Sequence, residues 1–350
     1  MEKIKAISIS FFKDFSDEHW NDVLNFFDAT INYTSWFLNY IEVLNSSNKI
    51  ENYSFVLYKN NLPIAIVPLF VEKIDGKFQI SMGQEPIDAP IFSYDVSCKD
   101  ICEYYEYITL EIEKKVNRYK CILARFHYSP LLYSKESQNY FKKFGYKKEI
   151  FFPDWYIFKA DQSYIINLNL TKEELAKNIR SRYRTNINKT TRLVSLIILD
   201  KLNFKKEMFD KYVELYYEVK GPKRNNEAFR LDEYAVKNGF ESILLCIYQD
   251  NIVSAVALHT YRNKARYNSS IQIYNKAKGI YPNHFLLKSA IDYLKRNDFD
   301  LFEIGEQVSE SENYKISDKE FNLSHFKSGW GGQLTPWLRA QKEFKHVKYK

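Results

Sequence analysis

The sequence is poor in cysteine, with four among its 350 residues. They are Cys98, Cys102, Cys121 and Cys246, and no two of them form a CxxC pair. Disulfide frameworks and zinc sites both depend on characteristic cysteine spacings, so neither is favoured. The sequence predicts buried, unreactive thiols and no bound metal.

Long apolar runs are also missing. The longest extends from Leu62 to Val71, far below the roughly 20 residues that a membrane-spanning helix requires. The start of the chain, Met1 to Asp14, shows no apolar stretch followed by a small-residue cleavage site. We expect a soluble, cytoplasmic protein without a transmembrane segment.

Several catalytic motifs are absent. The sequence contains no Ser-His-Asp order, no Walker loop, no HExxH and no aspartates paired at metal-ligand spacing. These absences leave metal-dependent and covalent mechanisms without support. The length indicates two domains, and 45% hydrophobic with 27% charged residues is a globular composition.

Positive charge is concentrated in two segments. From Lys172 to Arg192 there are seven basic residues against two acidic ones, and from Arg339 to Lys350 there are five against one. Since the net charge is +7, the rest of the chain is close to neutral. A concentrated positive patch favours an anionic partner such as phosphate, a pyrophosphate-linked lipid or RNA. A solvated helix face is the alternative interpretation.

A weak internal repeat organises the chain. At an offset of 190 residues, Tyr58 and Asn61 correspond to Tyr248 and Asn251, and both segments have the pattern strand, polar turn, strand. A third strand is predicted after each hairpin (77–82 and 266–274), then a helix (102–117 and 283–297) and another strand (121–127 and 301–305). The pattern predicts a mixed α/β fold in two similar domains, residues 1–160 and 161–350. Chance similarity between two hairpins is the alternative.

Three further segments occur in a fixed order. Residues 164–189 read as a strand, a capped helix and an Arg-x-Asn-Ile stretch that includes Arg184 and Asn186. Residues 326–331 have the pattern Phe-Lys-x-x-aromatic-Gly, and residues 140–146 end in Phe-Gly-Tyr. With the repeated unit, they resemble the FemAB family and its relatives with a BioF2-like acetyltransferase domain. That resemblance implies two tandem GNAT-like domains, each a largely antiparallel meander with a splayed parallel strand and flanking helices.

The resemblance also implies an activity. Members of the family transfer acyl or aminoacyl groups to amines, with peptidoglycan precursors on a lipid pyrophosphate as well-known acceptors and aminoacyl-tRNA as donor. Other relatives of the fold use acyl-CoA and acylate amino sugars or amino acids. No tightly bound cofactor is implied, because the donor is a substrate. The long heptad arm often associated with tRNA is not evident in this sequence, so tRNA dependence stays open.

A basic helix is predicted at about residues 172–192. Thr171 and Glu174 form a capping box, so the helix should begin at Lys172. After the capping box, apolar residues recur every four positions along the sequence and form a stripe on the helix. The sequence predicts that an anionic substrate binds cations on the two flanks of that stripe, with a surface role as the alternative. The predicted substrate-binding residues in this segment are Arg180, Arg182, Arg184, Asn186 and Lys189.

The loop before the second-half helix is where a GNAT protein binds the CoA pyrophosphate through backbone N–H groups. Here the pattern is Lys276-x-x-Gly279-x-Tyr281, so a tyrosine replaces the small residue that lets phosphate approach. That departure is expected of a FemAB-like protein and argues against ordinary CoA binding. Lys276, Lys278 and Gly279 are the predicted donor-binding residues.

The corresponding first-half segment, residues 83–90, is polar and contains two prolines. The resemblance places it against the acceptor, so Asp88 is a candidate for binding an amine or hydroxyl. A structural turn is the equal alternative. His127 and Arg125, at the end of the matching strand, are further candidates for substrate binding.

Amide formation needs a group that accepts the proton of the attacking amine, and it benefits from a donor to the oxyanion. Glu303 and Glu306 lie on or just after a predicted strand, and either is a candidate base. Lys327 is a candidate for contacting the oxyanion or a phosphate. The alternative for all three is a structural polar residue at a strand end. The polar segment 306–322 that follows is either a lid or a surface loop.

The leading functional hypothesis is an acyl- or aminoacyltransferase that forms an amide on an amine of a cell-envelope precursor, either peptidoglycan or a surface glycan. The alternatives are an acyl-CoA-dependent N-acyltransferase of an amino sugar or amino acid, and a non-catalytic RNA- or glycan-binding module. The partners expected are an anionic small-molecule or lipid-linked acceptor, tRNA as a candidate donor, and the inner membrane surface as a peripheral contact.

Overall fold

The structure is a computed structural model that describes residues 7–132, 156–308 and 315–344. The chain divides into two compact units. Unit 1 contains the described residues up to Ala160 together with 337–344, and unit 2 extends from Asp161 to Pro336. The mixed α/β fold class is confirmed. The domain boundaries 1–160 and 161–350 stay a prediction, and the strand that ends the described chain finishes in unit 1.

The strands and helices have the following bounds. The strands are β1 (Ile7–Phe11), β2 (Glu51–Asn52), β3 (Phe55–Lys59), β4 (Leu62–Val67), β5 (Phe70–Ile74), β6 (Lys77–Ile80), β7 (Ile87–Asp88), β8 (Ile91–Phe92), β9 (Leu123–His127), β10 (Tyr156–Asn167), β11 (Ser195–Leu199), β12 (Glu241–Tyr248), β13 (Asn251–Tyr261), β14 (Lys264–Gln272), β15 (Leu301–Gln307) and β16 (Gln333–Glu343). The helices are α1 (Asp17–Val23), α2 (Ser35–Leu44), α3 (Cys98–Tyr119), α4 (Lys172–Asn178), α5 (Ser181–Thr191), α6 (Lys206–Lys220), α7 (Asn226–Asn238), α8 (Pro282–Arg296) and α9 (Asp318–Ser328).

Unit 1 contains a four-stranded antiparallel sheet of order β1-β3-β4-β8. In its second sheet β9 pairs with β16, β6 and β7, and β5 and β2 follow β6. The pairings of β9 with β6 and with β7 are parallel. A parallel pair needs a crossover connection, and α3 provides it between β6 and β9.

The repeated hairpins are present at both predicted positions. In the β3–β4 turn Asn60 and Asn61 have φ of 53° and 65°, and in the β12–β13 turn Gln249 and Asp250 have φ of 49° and 62°. Left-handed backbone at both central residues is the hairpin turn that matches the twist of the strands. The polar residues at these turns therefore predicted their geometry correctly.

The prediction of a simple three-strand meander in the first half is wrong. An additional strand, β5, lies between β4 and β6, and β4 and β5 belong to different sheets. The chain changes sheets at Pro68 and Leu69, directly after β4. Because proline cannot donate to a strand ladder, it ends β4 at this point, and the N–H of Leu69 donates to Ser54 Oγ instead.

Unit 2 is built on a sheet of order β11-β12-β13-β14-β15-β10, antiparallel except where β14 meets β15. Helices α6 and α7 cover one face through residues such as Phe209 and Phe229. The other face packs against α8 and α5, including Leu286 and Tyr183. Because helices cover both faces of the sheet, successive residues of the central strands are buried whichever face they point to.

The segment predicted as one basic helix forms two. The capping box is confirmed, since Glu174 N–H donates to Thr171 Oγ1 over 3.2 Å and Thr171 N–H donates to the Glu174 carboxylate over 2.8 Å. The chain then becomes extended at Ile179 and Arg180, where α4 ends and α5 begins. The N–H of Arg180 donates to the carbonyl oxygen of Gly329 over 2.8 Å, so a contact distant in sequence replaces a helical hydrogen bond.

The structure also describes other features that the sequence analysis considered. Cys121 and Cys246 are both buried. Within the described ranges, no helix is long and apolar enough to cross a membrane, and no cluster of metal-ligating side chains is found. The motif at residues 140–146 lies outside the described residues, as do residues 309–314 of the predicted lid or loop. The rest of that segment includes the start of α9, whose cap is Ser317.

Candidate functional site

The candidate site lies where two parallel strands of unit 2 separate. Strands β14 and β15 pair at three positions, and the last of these joins Arg266 to Glu303. Beyond that pair β14 stays with β13, whereas β15 pairs with β10. The two strands therefore diverge directly after Glu303, and the predicted splayed strand is β15.

An irregularity in β15 opens space beside this divergence. Tyr164 of β10 pairs with Gly305 and Ile165 pairs with Glu303, so Ile304 is an additional residue in the ladder. Gly305 has φ of +116°. A Cβ atom at this position would lie 2.9 Å from Lys327 Nζ. The positive φ therefore favours a glycine here, and the flexible end of the Lys327 side chain lies over the space that a Cβ atom would take.

Two of the predicted catalytic residues meet at this opening. Glu303 is buried, accepts a hydrogen bond from Ser163 Oγ over 2.7 Å, and lies 3.8 Å from Arg266 Nε. Lys327 Nζ donates to the carbonyl oxygen of Glu306 over 3.1 Å. The third predicted residue, Glu306, thus contacts Lys327 through its backbone.

The environment of Lys327 weakens its hold on a proton. Burial lowers the pKa of Lys327 below its usual value, because an ammonium ion loses hydration in the interior. The carboxylates of Glu306 and Glu303 oppose this effect, and the positive charge of Arg266 adds to it. The net result is a lysine more easily deprotonated than a surface lysine.

A pocket of about 620 Å³ adjoins these residues. One side of α9 forms much of its wall, and the end of β15 contributes Gln307. Its lining includes both apolar and hydrogen-bonding side chains. The lining residues are Tyr164, Gln307, Val308, Ile316, Asp318, Phe321, Ser324, His325 and Ser328.

The basic residues of α4 and α5 have different surroundings. Arg180 donates to Ser328 Oγ over 3.0 Å and lies 2.9 Å from Nε2 of His325, so it reaches the pocket wall. Arg184 instead donates to the carbonyl oxygens of Ala176 and Lys177 at the end of α4. Its contacts are those of a helix cap, as expected for a cation at a helix C-terminus.

The remaining predicted residues of this segment lie on the other side of α5. Arg182 is exposed, and Lys189 Nζ lies 6.0 Å from the centre of the Tyr281 ring. Asn186 is half-buried, and its carbonyl oxygen accepts from the Thr190 hydroxyl. The structure therefore brings Arg180 to the candidate pocket and leaves Arg182 and Lys189 on the surface of unit 2.

The predicted donor loop borders a second pocket of about 430 Å³, formed with the β12–β13 turn. Lys276 and Lys278 both line it, and Lys276 Nζ lies 3.2 Å from the carboxylate of Glu218. Gly279 has φ of +81°, with open space where a side chain would begin. At the start of α8 the N–H of Tyr281 donates to Thr190 Oγ1 over 2.9 Å.

The first-half candidates form a group of their own in unit 1. Asp88 is buried, with Oδ1 3.2 Å from Nε2 of His127 and Oδ2 accepting from Asn32 Nδ2 over 2.8 Å. The pairing of β7 with β9 sets Asp88 beside His127. Arg125 Nε donates to Gln341 Oε1 over 3.0 Å.

The late aromatic motif has a packing role that its residues alone did not reveal. A Cβ atom on Gly329 would lie 2.1 Å from the Tyr183 ring, and one on Gly331 would lie 2.4 Å from the Asn178 side chain. The two glycines therefore let the segment approach α4 and α5 closely. This contact positions Lys327 at the end of α9.

Sequence reasoning did not identify Arg266, Ser163 or Gly305 as site residues. Arg266 and Ser163 are single polar residues within strands, and only strand register brings them to Glu303. Gly305 was recognisable as a glycine inside a predicted strand, a pattern that often marks a bulge or a close approach.

Comparison with solved structures supports the fold. FemX is 11% identical with a TM-score of 0.62, covering 93% of this chain and 96% of that chain. L-PGS from Bacillus licheniformis is 13% identical with a TM-score of 0.56, covering 95% and 93%. No protein-family model and no curated protein matches the sequence. The resemblance inferred from sequence is therefore confirmed as a similarity of fold.

Proposed function

We propose that unit 2 transfers an acyl or aminoacyl group to an amine. The observation that carries the proposal is the half-buried Lys327 amine, which lies over Gly305 at the divergence of β14 and β15, close to Glu303. A basic group that loses its proton readily is what attack by an amine requires. The fold shared with FemX and L-PGS supports the same class of reaction.

The chemistry follows from these groups. The acceptor nitrogen attacks the carbonyl carbon of the donor, and the new C–N bond forms as the ester or thioester bond breaks. The amine loses one proton, which Lys327 or a carboxylate of Glu303 or Glu306 accepts, and the leaving oxygen or sulfur takes up a proton. When protonated, Lys327 also stabilises negative charge on the carbonyl oxygen.

We propose an anionic cell-envelope precursor, of peptidoglycan or a surface glycan, as the acceptor. Arg180 at the pocket wall and the exposed Arg182 and Lys189 supply positive charge suited to phosphate groups. Peripheral contact with an anionic membrane surface fits the same charge. Asp88, Arg125 and His127 of unit 1 stay candidates for substrate binding.

We favour aminoacyl-tRNA over acyl-CoA as the donor. The N–H of Tyr281 is occupied by Thr190, and the next residue, Pro282, has no N–H. A pyrophosphate at the start of α8 would therefore find fewer backbone donors than at an ordinary GNAT helix. Lys276 and Lys278 are proposed to bind the donor through their charge, with Gly279 allowing close approach.

The test is direct detection of the amide product. The purified protein is incubated with cell-envelope precursors and either charged tRNA or acyl-CoA, and products are identified by intact mass. We expect transfer from charged tRNA, a loss of at least tenfold in Lys327→Gln, and normal transfer in Lys319→Gln, an exposed lysine of the same helix.

Other outcomes distinguish the alternatives. Transfer from acyl-CoA, accompanied by saturable thermal stabilisation by acyl-CoA, would identify the CoA-dependent enzyme. Salt-sensitive RNA binding without transfer to any amine would contradict the proposal and support a binding module.

A further inference from the structure

Three charged groups act on Lys327 in unit 2, and a fourth, Arg180, lies beside its helix neighbour His325. Glu303 and Glu306 face it from β15, Arg266 faces it from β14, and Arg180 contacts the neighbouring His325 on α9. A half-buried lysine near two carboxylates would ordinarily form an ion pair and hold its proton firmly. In the described part of the chain, however, Lys327 donates to a backbone carbonyl and forms no ion pair.

The position of Arg266 explains this arrangement. It faces Glu303 across the last rung that β14 and β15 share. The Arg266 side chain is 43% exposed and that of Glu303 is 7% exposed, so the guanidinium reaches the buried carboxylate from solvent. Because a guanidinium stays charged at all accessible pH values, Arg266 competes permanently with Lys327 for Glu303.

The residues that pair with Arg266 across the sheet bear on its interaction with Glu303. Strand register forms a row across the sheet, from Glu241 of β12 through His259 of β13 to Arg266 and Glu303. Burial lowers the pKa of His259 to about 3, so this imidazole is neutral near pH 7, and burial raises the pKa of Glu241 well above its usual value. Within this row the carboxylate that Arg266 reaches is that of Glu303, 3.8 Å from its Nε atom.

We propose that Arg266 is a positioning residue that holds the carboxylate of Glu303 away from Lys327 and so keeps the Lys327 amine able to exchange its proton. The inference rests on the proposed function for its catalytic meaning. The predicted interaction among the charges of Arg266, Glu303 and Lys327 does not depend on that function.

The test measures the titration of Lys327 itself. The protein is labelled with lysine carrying ¹³C at Cε, the Lys327 signal is assigned by its loss in Lys327→Arg, and its chemical shift is followed against pH. We expect Arg266→Gln to raise the titration midpoint of Lys327 by about 1 pH unit or more, since removing a nearby cation frees Glu303 to pair with it. Arg266→Lys should retain most of the wild-type midpoint.

Controls separate this effect from general disturbance. Arg230→Gln removes an exposed arginine of α7 and should leave the midpoint unchanged. Glu303→Gln in the Arg266→Gln background should lower the midpoint again, because the new partner of Lys327 is then gone. An unchanged or lowered midpoint in folded Arg266→Gln would overturn the proposal. The titration needs no substrate, so absence of transfer would refute the proposed function and leave this result standing.

Discussion

The burial of His259 predicts how much unfolding free energy the protein loses as the pH falls. The residue is 4% exposed in the central strand β13, and burial, together with the charges of Arg266 and Arg224, lowers its pKa from 6.5 to about 3. In the unfolded chain the imidazole takes up a proton near pH 6.5. The stabilising contribution is therefore present above pH 6.5 and is lost as the pH falls towards 3.

The size of the effect follows from the shift. Each pH unit below 6.5 costs about 1.4 kcal/mol until the folded protein also binds the proton. Between pH 7 and pH 5 the loss of unfolding free energy from His259 is thus about 2 kcal/mol. His259→Gln removes the titrating group and retains hydrogen-bonding capacity, so the variant should lack this loss.

Urea unfolding at pH 7 and pH 5 gives the measurement. The quantity compared is the pH-dependent loss in wild type minus the loss in His259→Gln, because Asp232 and Glu241, whose pKa values are raised by burial, contribute with the opposite sign in both proteins. The exposed His19→Gln variant should behave as wild type. Equal losses in wild type and His259→Gln would refute the reasoning that this histidine is held neutral.

Three further substitutions test the local geometry. Gly305→Ala places a Cβ atom 2.9 Å from Lys327 Nζ at a positive φ, and we expect a loss of about 1–3 kcal/mol in urea unfolding with a titration of Lys327 closer to that of a free lysine. Gly329→Ala should also cost about 1–3 kcal/mol because its Cβ overlaps the Tyr183 ring, and an unchanged urea midpoint would contradict the close contact. Arg184→Gln removes two exposed hydrogen bonds to the end of α4, so we expect a loss of at most about 1 kcal/mol with catalytic rate unaffected; a tenfold fall in transfer would instead indicate substrate binding.

Local sequence patterns predicted local structure well. The capping box at Thr171 and the left-handed turns at Asn60 and Gln249 depend on residues within a few positions of one another. The local sequence is therefore sufficient to predict them. The apolar stripe of the basic segment is likewise buried, from Leu175 to Ile187. Short-range backbone preferences and periodicity account for these successes.

Features that depend on distant partners escaped the sequence analysis. The basic segment breaks at Ile179 and Arg180 because Gly329, far along the chain, accepts the N–H of Arg180. Arg184, predicted to bind an anion, lies over the carbonyl end of a helix that exists only because of this break. Arg266 lies at the site because it pairs with Glu303 in the register of β14 and β15. Hydrophobic alternation in the sequence does not by itself determine that register.

The two units also differ at equivalent strand divergences. In unit 2, β15 leaves β14 after Glu303 and the opening is bordered by Gly305 and Lys327. In unit 1, β9 pairs with β6 only at Ala124, and β7 then pairs with its last two residues and fills the corresponding position. A strand therefore occupies this position beside β9, and the side chains of its paired residues Asp88 and His127 lie 3.2 Å apart. If the proposed function holds, we therefore expect group transfer in unit 2, with Lys327→Gln lowering it at least tenfold and His127→Gln altering the concentration of acceptor needed for half-maximal rate.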